Sequence, residues 1–183
     1  MKGRLTSPQE AQWVLRAQFG DREAIEALLR AVQPMLMRYV RAIAGPRAAE
    51  DVSQEVMVTV YRKLWTLSSP DLFRPWMFRI ASRTAFHHLK KRRRWPDHLR
   101  DDDALPELAA PDFSEIASRV DELLQDPRVT PASRAVLALH FKEGLTLPEV
   151  AAVLDVPLGT VKSRLAYGLA TLRKRHATGD DHD

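Results

Sequence analysis

Apolar residues recur at spacings of three and four along most of the chain, which predicts α-helices. Between residues 144 and 172 the pattern predicts two short helices around a tight turn. Thr146 and Glu149 form a capping box for the first helix, and Pro157 marks the break before the second. The second helix carries an apolar stripe of Val161, Leu165, Gly168, Leu169 and Leu172. This layout is typical of a helix-turn-helix, whose second helix enters the major groove of DNA.

The other face of the second helix carries hydroxyl and cationic side chains, which can hydrogen-bond to phosphates and base edges. These side chains belong to Thr160, Lys162, Ser163, Arg164, Tyr167 and Thr171. A helical hairpin with a solvated polar face is the alternative for any amphipathic pair. The capping box, the turn and the outward Lys-Ser-Arg sequence together favour DNA binding.

Residues 1–95 also predict helices throughout. Ser7 and Glu10 form a second capping box, Asp21 caps the next helix, and Pro34 predicts a kink or a restart. A third helix begins near residue 48 and turns an apolar stripe inward, consisting of Val52, Val56, Val60 and Leu64. Its exposed face carries Asp51, Gln54 and Glu55. A fourth helix, from about residue 75 to 94, buries Met77, Ile80, Ala81, Ala85 and Leu89.

Charge is distributed unevenly along the 183 residues, although the net charge is only +4. Residues 1–95 contain 18 Lys/Arg against 8 Asp/Glu, whereas residues 96–128 contain 3 against 10. Residues 96–112 of this stretch also contain three prolines and cannot bury enough apolar surface to fold alone. We therefore predict two small helical domains, at 1–95 and 113–176, a flexible acidic linker at 96–112, and a disordered tail at 177–183.

Composition excludes several classes of function. The chain has no cysteine, which excludes disulfides, thiolate metal sites and thiol catalysis. His87 and His88 are adjacent and therefore diverge around a helix, unlike the i, i+4 pair of a zinc site, so we expect no metal. No window is apolar over the length of a membrane span, and we expect a cytoplasmic protein that does not insert into a membrane.

The fourth helix ends in five consecutive cations, residues 90–94, and aromatic residues are interleaved with arginines before them. The aromatic residues are Trp76, Phe78, Phe86 and Trp95, and the arginines are Arg74, Arg79 and Arg83. A cationic run at a helix C-terminus also favours the helix macrodipole, and Trp76 or Phe78 can equally belong to a core. The mixture is nevertheless the one expected where single-stranded bases stack and phosphates are neutralised.

Three motifs in order resemble a bacterial RNA polymerase sigma factor of the extracytoplasmic-function group. The first is Asp-Val-Ser-Gln-Glu-Val at 51–56, and the second is Pro-Trp-Met-Phe-Arg-Ile-Ala-Ser-Arg at 75–83, which runs into the basic cluster. The third lies beyond the acidic stretch and consists of Leu-Pro-Glu-Val-Ala at 147–151 and Val-Pro-Leu-Gly-Thr-Val-Lys-Ser-Arg-Leu at 156–165. The resemblance implies a non-enzymatic protein without a cofactor, which binds core polymerase, directs it to promoters and helps to open the duplex.

The resemblance also implies roles for individual residues. Asp51, Gln54 and Glu55 are expected to meet the clamp helices of the largest polymerase subunit, while the second domain meets the flap of the second-largest subunit. Residues 66–73 match the loop that captures an extruded base of the minus-10 element. Further minus-10 contacts are expected from Phe73, Arg74, Trp76, Arg79, Arg83, His87, Lys90 and Lys91. Minus-35 contacts are expected from Thr160, Lys162, Ser163, Arg164 and Tyr167.

The chain departs from the family pattern at four positions. Arg83 and His87 stand where asparagine and aspartate are frequent, so the minus-10 preference cannot be copied from relatives. Tyr167 and Leu169 stand where arginines are usual, which predicts fewer phosphate contacts and a shallower salt dependence. A glycine within a helix, such as Gly168, lowers helix stability by about 1 kcal/mol relative to alanine, which indicates close packing or local flexibility at this position.

The resemblance further implies an acidic linker that imitates a polynucleotide in the RNA channel, and an anti-sigma protein that holds both domains. A solvated tether is the alternative for the linker. Two other functions remain open from the residues alone: a polymerase-independent helix-turn-helix regulator, and a nuclease in which Asp51 and Glu55 hold Mg²⁺.

Overall fold

Helices form every regular element in the described parts of the chain. The computed structural model describes residues 6–91 and 113–179, which contain α-helices, short 3₁₀ helices and one π-helical turn. The predicted all-α fold is confirmed. The chain divides into two compact units, residues 1–95 and 96–183. The predicted linker at 96–112 lies outside the described residues, as do Arg92, Arg93 and Arg94 of the basic cluster.

Four α-helices form the first unit, and the second of them is the centre of the packing. The helices are α1 (Pro8–Gln18), α2 (Arg22–Ala44), α3 (Ala49–Lys63) and α4 (Phe73–Lys91). Two short 3₁₀ helices, Leu64–Thr66 and Pro70–Leu72, lie in the segment that connects α3 to α4. Helix α2 packs against α1, α3 and α4.

Apolar faces of α2, α3 and α4 meet in the core of the first unit. Their most deeply buried residues include Leu28, Val32, Leu36, Val40, Val52, Val56, Val60, Phe73, Met77, Phe78, Ala81 and Ala85. The Tyr39 ring packs edge-on against Phe78 with centroids 5.0 Å apart, and its hydroxyl lies 2.6 Å from Ser82 Oγ. The inward stripe predicted for α3 is confirmed. On α4, however, Ile80 and Leu89 are half-buried rather than buried.

Side chains cap the helices of the first unit where the sequence predicts it. Ser7 Oγ accepts from the Glu10 backbone N–H at 3.1 Å, and Glu10 Oε2 accepts from the Ser7 N–H at 2.9 Å. Asp21 caps α2 by accepting from the Ala24 N–H at 3.0 Å. Gly20, with φ +89°, allows the reversal between α1 and α2. Each cap satisfies amides that have no partner within their helix.

Two predicted helix boundaries in the first unit are wrong. Of the kink or restart predicted at Pro34, the restart is wrong: helix α2 is continuous, because buried residues on both sides of Pro34 hold the helix together. Arg30, whose carbonyl loses its intrahelical donor, is exposed like Pro34, so water can bond to that carbonyl. Helix α4 begins at Phe73 and not at Pro75, because proline fits a first turn, where N–H groups have no intrahelical partner.

The second unit contains α5 (Phe113–Gln125), α6 (Pro131–Leu137), α7 (Leu147–Leu154) and α8 (Leu158–Gly179). A π-helical turn, Ala138–Lys142, follows α6 directly, and α8 packs against α5, α6 and α7. Residues 177–179, predicted to begin the disordered tail, are helical.

The buried carboxylate of Asp126 organises the turn between α5 and α6. It accepts from the Arg128 backbone N–H at 2.9 Å and from two guanidinium nitrogens of Arg128 at 3.0 and 2.7 Å. Arg134 of α6 donates to the Asp126 carbonyl at 2.8 Å. Burial lowers the pKa of the Arg134 guanidinium, while the nearby Asp126 charge opposes that shift. The turn thereby fixes where α6 begins beneath α8.

Gly168 lies where α8 crosses α6. A Cβ at this position would stand 2.9 Å from Leu137 Cδ1 and 3.7 Å from Ser133 Cβ. Both neighbours are almost completely buried, so they have little room to move. The structure therefore favours close packing over local flexibility as the reason for a glycine within this helix.

We predict that Gly168→Ala does not gain the roughly 1 kcal/mol that alanine normally adds to a helix, because the new methyl group displaces Leu137. Gly159→Ala is the matched control, since a Cβ at Gly159 meets nothing within 4 Å and its variant should be at least as stable as the parent. Denaturation followed by circular dichroism measures both, because all four tryptophans lie in residues 1–95. Equal gains from the two substitutions would contradict the close approach.

We also predict a pH-dependent contribution from Asp21. The Ala24 N–H bond and the Arg16 guanidinium lower the pKa of this carboxyl. Its stabilisation is therefore present above about pH 4 and is lost as the pH falls through the lowered folded-state value. The stability difference between the parent and Asp21→Asn, measured by chemical denaturation, should shrink on acidification. A difference that stays constant from neutral to acidic pH would show that the cap needs no charge.

Candidate nucleic-acid and polymerase interfaces

The turn between α7 and α8 sets the direction of the predicted recognition helix. Thr146 caps α7, with its N–H 2.8 Å from Glu149 Oε2, so the second predicted capping box is confirmed. Helix α7 ends at Asp155, which adopts the left-handed conformation with φ +59°. Asp155 is the only residue other than glycine with positive φ in the described ranges. Aspartate tolerates this conformation better than most residues, and Pro157 follows immediately before α8.

Helix α8 buries four residues of its predicted apolar stripe and leaves a mixed polar face outside, while the side chain of the fifth, Leu172, lies outside the described residues. Val161, Leu165 and Leu169 are buried, whereas Lys162 and Tyr167 are exposed. Thr160, Ser163 and Arg164 are half-buried, so their outer atoms alone are accessible. The structure thus brings all five predicted minus-35 residues onto the accessible surface of one helix. Sequence reasoning missed Leu158, an exposed apolar residue at the first position of α8.

Ser163 is already engaged within α8, because its hydroxyl donates to the Thr160 carbonyl at 3.1 Å. In this orientation the oxygen can accept a hydrogen bond from outside the helix. It must rotate before it can donate to a phosphate. Lys162 is exposed, which makes it the most accessible cation among the predicted minus-35 contacts.

One stripe of α4 collects five of the eight predicted minus-10 residues. Trp76, Arg79, Arg83, His87 and Lys90 follow one another at spacings of three and four, opposite the buried residues of the helix. Trp76 is half-buried, and the other four side chains are exposed. Lys91 is also exposed and flanks the stripe. An aromatic ring at the N-terminal end of a cationic stripe provides one stacking surface and several phosphate contacts.

Phe73 and Arg74 do not join this stripe. Phe73 is 0% exposed, with its ring centroid 6.3 Å from that of Trp76, so it supports Trp76 from within the core. Arg74 turns toward α1 and forms a two-pronged ion pair with the buried Glu10, at 2.9 Å from Nε and 2.8 Å from Nη2. The burial of Phe73 conflicts with the direct DNA contact expected for it from sequence. The Arg74 side chain is 29% exposed, and its guanidinium is engaged by Glu10. The sequence spacing of Phe73 and Arg74 from Trp76 did not show that these two side chains lie on the inner side of the first turn of α4.

Helix α3 presents the predicted acceptor residues on its exposed face. Asp51, Gln54 and Glu55 are all exposed, and the spacing of three and four places them on one face. The same face continues with apolar side chains that sequence reasoning missed: Val58, Tyr61 and Trp65, exposed by 48%, 60% and 73%. The Trp65 indole N–H donates to the Arg62 carbonyl at 2.8 Å, which restrains the ring against the helix end. The face thus combines an acidic half with an apolar half.

Neither metal binding nor membrane insertion gains support from the described residues. Residues 6–91 and 113–179 contain no group of three or more histidine or carboxylate side chains that could hold a metal ion. Within the same ranges no helix is both long and apolar enough to cross a membrane.

Comparison with known families matches both units in order. The family described as Sigma-70 region 2 matches residues 28–95, which include α3 and α4. The family described as Sigma-70, region 4 matches residues 127–174, which include α7 and most of α8. Across its length the chain is similar to the RNA polymerase sigma-H factor of Pseudomonas aeruginosa, with 32% identity covering 88% of this chain and 90% of that protein. The chain belongs to the sigma-70 family.

Further relatives show that it is a sigma factor of the extracytoplasmic-function type. The ECF RNA polymerase sigma-E factor of Escherichia coli is 28% identical, covering 83% of this chain and 86% of that protein. The sigma-E factor of Haemophilus influenzae is 26% identical over a similar share, 83% and 87%. Among solved structures, CnrH in complex with the cytosolic domain of CnrY has the same fold, with a TM-score of 0.61, 22% identity, and coverage of 95% and 99%.

This sigma factor binds RNA polymerase and promoter DNA and directs the polymerase to promoters. It is a regulatory subunit and not an enzyme, which sets aside the nuclease alternative for Asp51 and Glu55. A polymerase-independent regulator would share the helix-turn-helix but would not match sigma factors through the first unit as well. The resemblance to a sigma factor inferred from the sequence is therefore confirmed.

Proposed function

We propose that the two units contact two separate promoter elements, and that the first unit also assists duplex opening. The observation that carries this proposal is the α4 stripe, where Trp76 and a row of exposed cationic or titratable side chains lie opposite the core. Such a row neutralises phosphates along one strand, and the indole ring offers a surface on which an unpaired base can stack. The minus-10 element is the target that the sigma-factor resemblance assigns to this helix.

The α3–α4 connection supplies the second part of the opening step. Residues 66–73 match the loop that captures an extruded base, and Thr66, Ser68 and Leu72 within it are exposed. Flipping a base out of the stack costs a few kcal/mol, which stacking and phosphate contacts on α4 must offset. Phe73 and Arg74 serve this function indirectly, by fixing where Trp76 and the loop lie.

The second unit binds the minus-35 element through α8. Lys162 and Tyr167 are its most accessible predicted contacts, and the exposed Leu158 adds an apolar group that suits a thymine methyl. Since Tyr167 replaces a usual cation, this helix neutralises fewer phosphates than its relatives do. Its affinity then depends more strongly on polymerase, which holds both units on the same promoter.

Polymerase contacts are proposed for both units. The acceptor side chains of Asp51, Gln54 and Glu55 suit clamp helices rich in arginine, and the second unit is proposed to meet the flap of the second-largest subunit. The linker at 96–112 is proposed to occupy the RNA channel, where its carboxylates imitate a polynucleotide. An anti-sigma protein is the further partner that the resemblance implies, and the similarly folded CnrH was itself solved with the cytosolic domain of CnrY.

We predict that the double substitution Asp51→Arg, Glu55→Arg abolishes assembly with core polymerase, because two acceptors become donors on the proposed clamp-binding face. Co-purification and size-exclusion chromatography with core enzyme measure the loss. Both side chains are exposed, so unfolding of the first unit, followed by tryptophan fluorescence, should remain close to the parent.

The matched control is Glu23→Arg, Glu26→Arg on α2, which changes the net charge by the same amount at two other exposed positions. This control should assemble normally. Normal assembly and initiation by the Asp51/Glu55 variant would refute the role proposed for α3.

We predict opposite salt effects from two substitutions on α8. Lys162→Ala should reduce the slope of log affinity against log salt by about one for holoenzyme on a promoter, because one phosphate contact is lost. Tyr167→Arg should raise that slope by about one, because it restores a cation at an exposed position. Lys142→Ala, in the π-helical turn, is the control for removing a cation outside α8. Unchanged slopes for both α8 variants would place the phosphate contacts elsewhere.

A further inference from the structure

The segment that connects α3 to α4 is fastened at one end to α1 and at the other end to α1 and to Thr6, which precedes the cap of α1. We propose that α1 acts as a brace that holds this segment ready for base capture, and that Gln18 and Thr6 are its positioning residues. The inference rests on the proposed function, in which residues 66–73 receive the extruded base. It extends that function to a helix that neither the α4 stripe nor the predicted DNA contacts include.

Gln18 fastens the first end. Its Nε2 atom donates to the Leu64 carbonyl at 2.9 Å and to the Leu67 carbonyl at 2.8 Å, across a sequence separation of 46 and 49 residues. The Leu67 N–H also bonds back to the Leu64 carbonyl at 3.1 Å, so the 3₁₀ turn is closed upon itself and tied to α1. A primary amide has two hydrogens, and here each has a carbonyl acceptor.

Thr6 and Glu10 fasten the second end. The Arg74 backbone N–H, at the start of α4, donates to Thr6 Oγ1 at 3.2 Å. The Arg74 side chain pairs with Glu10, whose side chain is only 6% exposed. Glu10 also belongs to the capping box of α1, so the same carboxylate orders the helix start and the pairing with α4. A buried, two-pronged charge pair of this kind defines a geometry as well as an attraction.

Between the two fastened ends the segment is partly exposed, and its Pro70–Leu72 turn packs against α1 and α4. Ser69 is extended, with φ −135° and ψ 119°, and the turn that follows is closed by the Leu72 N–H bonding to the Ser69 carbonyl at 3.0 Å. Ser68, Asp71 and Leu72 are exposed. A segment without such a brace would have to be ordered when the base arrives, which would weaken capture. With the brace, that ordering is completed during folding.

Gln18→Met tests the first fastening, because it keeps the length of the side chain and removes both donors. The probe is the non-template minus-10 strand, as an oligonucleotide, from a promoter mapped by transcript sequencing after forced expression. It is compared with copies that carry an abasic site at each position in turn, all bound to holoenzyme. The parent should lose affinity when the captured base is missing. Gln18→Met should bind the intact strand about five- to tenfold more weakly than the parent, because two hydrogen bonds that position the loop are lost. It should bind the strand that lacks the captured base almost as well as the parent does.

The matched control is Gln12→Met, the same substitution at an exposed position of α1, which should behave like the parent with every oligonucleotide. Thr6→Val and Thr6→Ser test the other end: valine removes the acceptor for the Arg74 N–H and should reproduce the Gln18→Met pattern, whereas serine retains it and should not. This pair keeps the proposal testable if Gln18→Met does not fold. Tryptophan fluorescence of the first unit and core binding should stay close to the parent in the variants compared.

Equal weakening of the intact strand and the abasic strand by Gln18→Met and by Thr6→Val would overturn the brace, because only general stability would then be affected. The proposed function would still stand if the parent distinguishes intact from abasic strands. A parent that tolerates an abasic site at every position would instead refute base capture itself. The two failures are therefore distinguishable in one set of titrations.

Discussion

The packing of α4 against α2 and α3 is the constraint on which the first unit depends. Met77, Phe78, Ala81 and Ala85 are buried there, and the Tyr39–Phe78 and Tyr39–Ser82 contacts fix the rotation of α4 about its axis. That rotation decides which side chains remain outside. The same packing that excludes water from one face therefore places Trp76 and the exposed cationic or titratable side chains of α4 together on the opposite face.

Periodicity was sufficient to predict the helices of the first unit and the two helices of the helix-turn-helix, with caps at Ser7, Asp21 and Thr146, but it did not predict α5 or α6 individually. It could not separate Trp76 from Phe73 or Arg74, because at a helix start the side chain's environment is decided by a partner distant in sequence. Glu10 lies 64 residues from Arg74 and is visible to sequence reasoning only as a capping residue. Pro34 shows the reverse case, where a local signal for a break is overridden by buried packing on both sides. The exposed apolar half of the α3 face was missed because its spacing matches that of a core stripe.

In the second unit, the position and direction of α8 are determined mainly by backbone geometry. Gly168 allows α8 to approach α6 closely, and the left-handed Asp155 sets the direction of the chain before α8 begins. Neither residue is an expected DNA contact, yet both determine where Lys162 and Tyr167 are presented. Arg164 is half-buried, so part of its surface serves the packing of the unit and only part is available to a ligand. Specificity in this helix therefore depends on the fold beneath it as much as on its outward residues.

The carboxylate of Glu10 links the capping of α1 to the packing of α1 against α4. Its Oε2 atom accepts from Ser7 in its own helix and from Arg74 in α4. Helix α1 has 11 residues, and a helix of that length is marginal in water by itself. The helix and its docking consequently form a single cooperative unit, in which α1 cannot fray without releasing α4. The rate at which α1 amide hydrogens exchange with solvent thus reports how often the segment between α3 and α4 loses its contacts with α1.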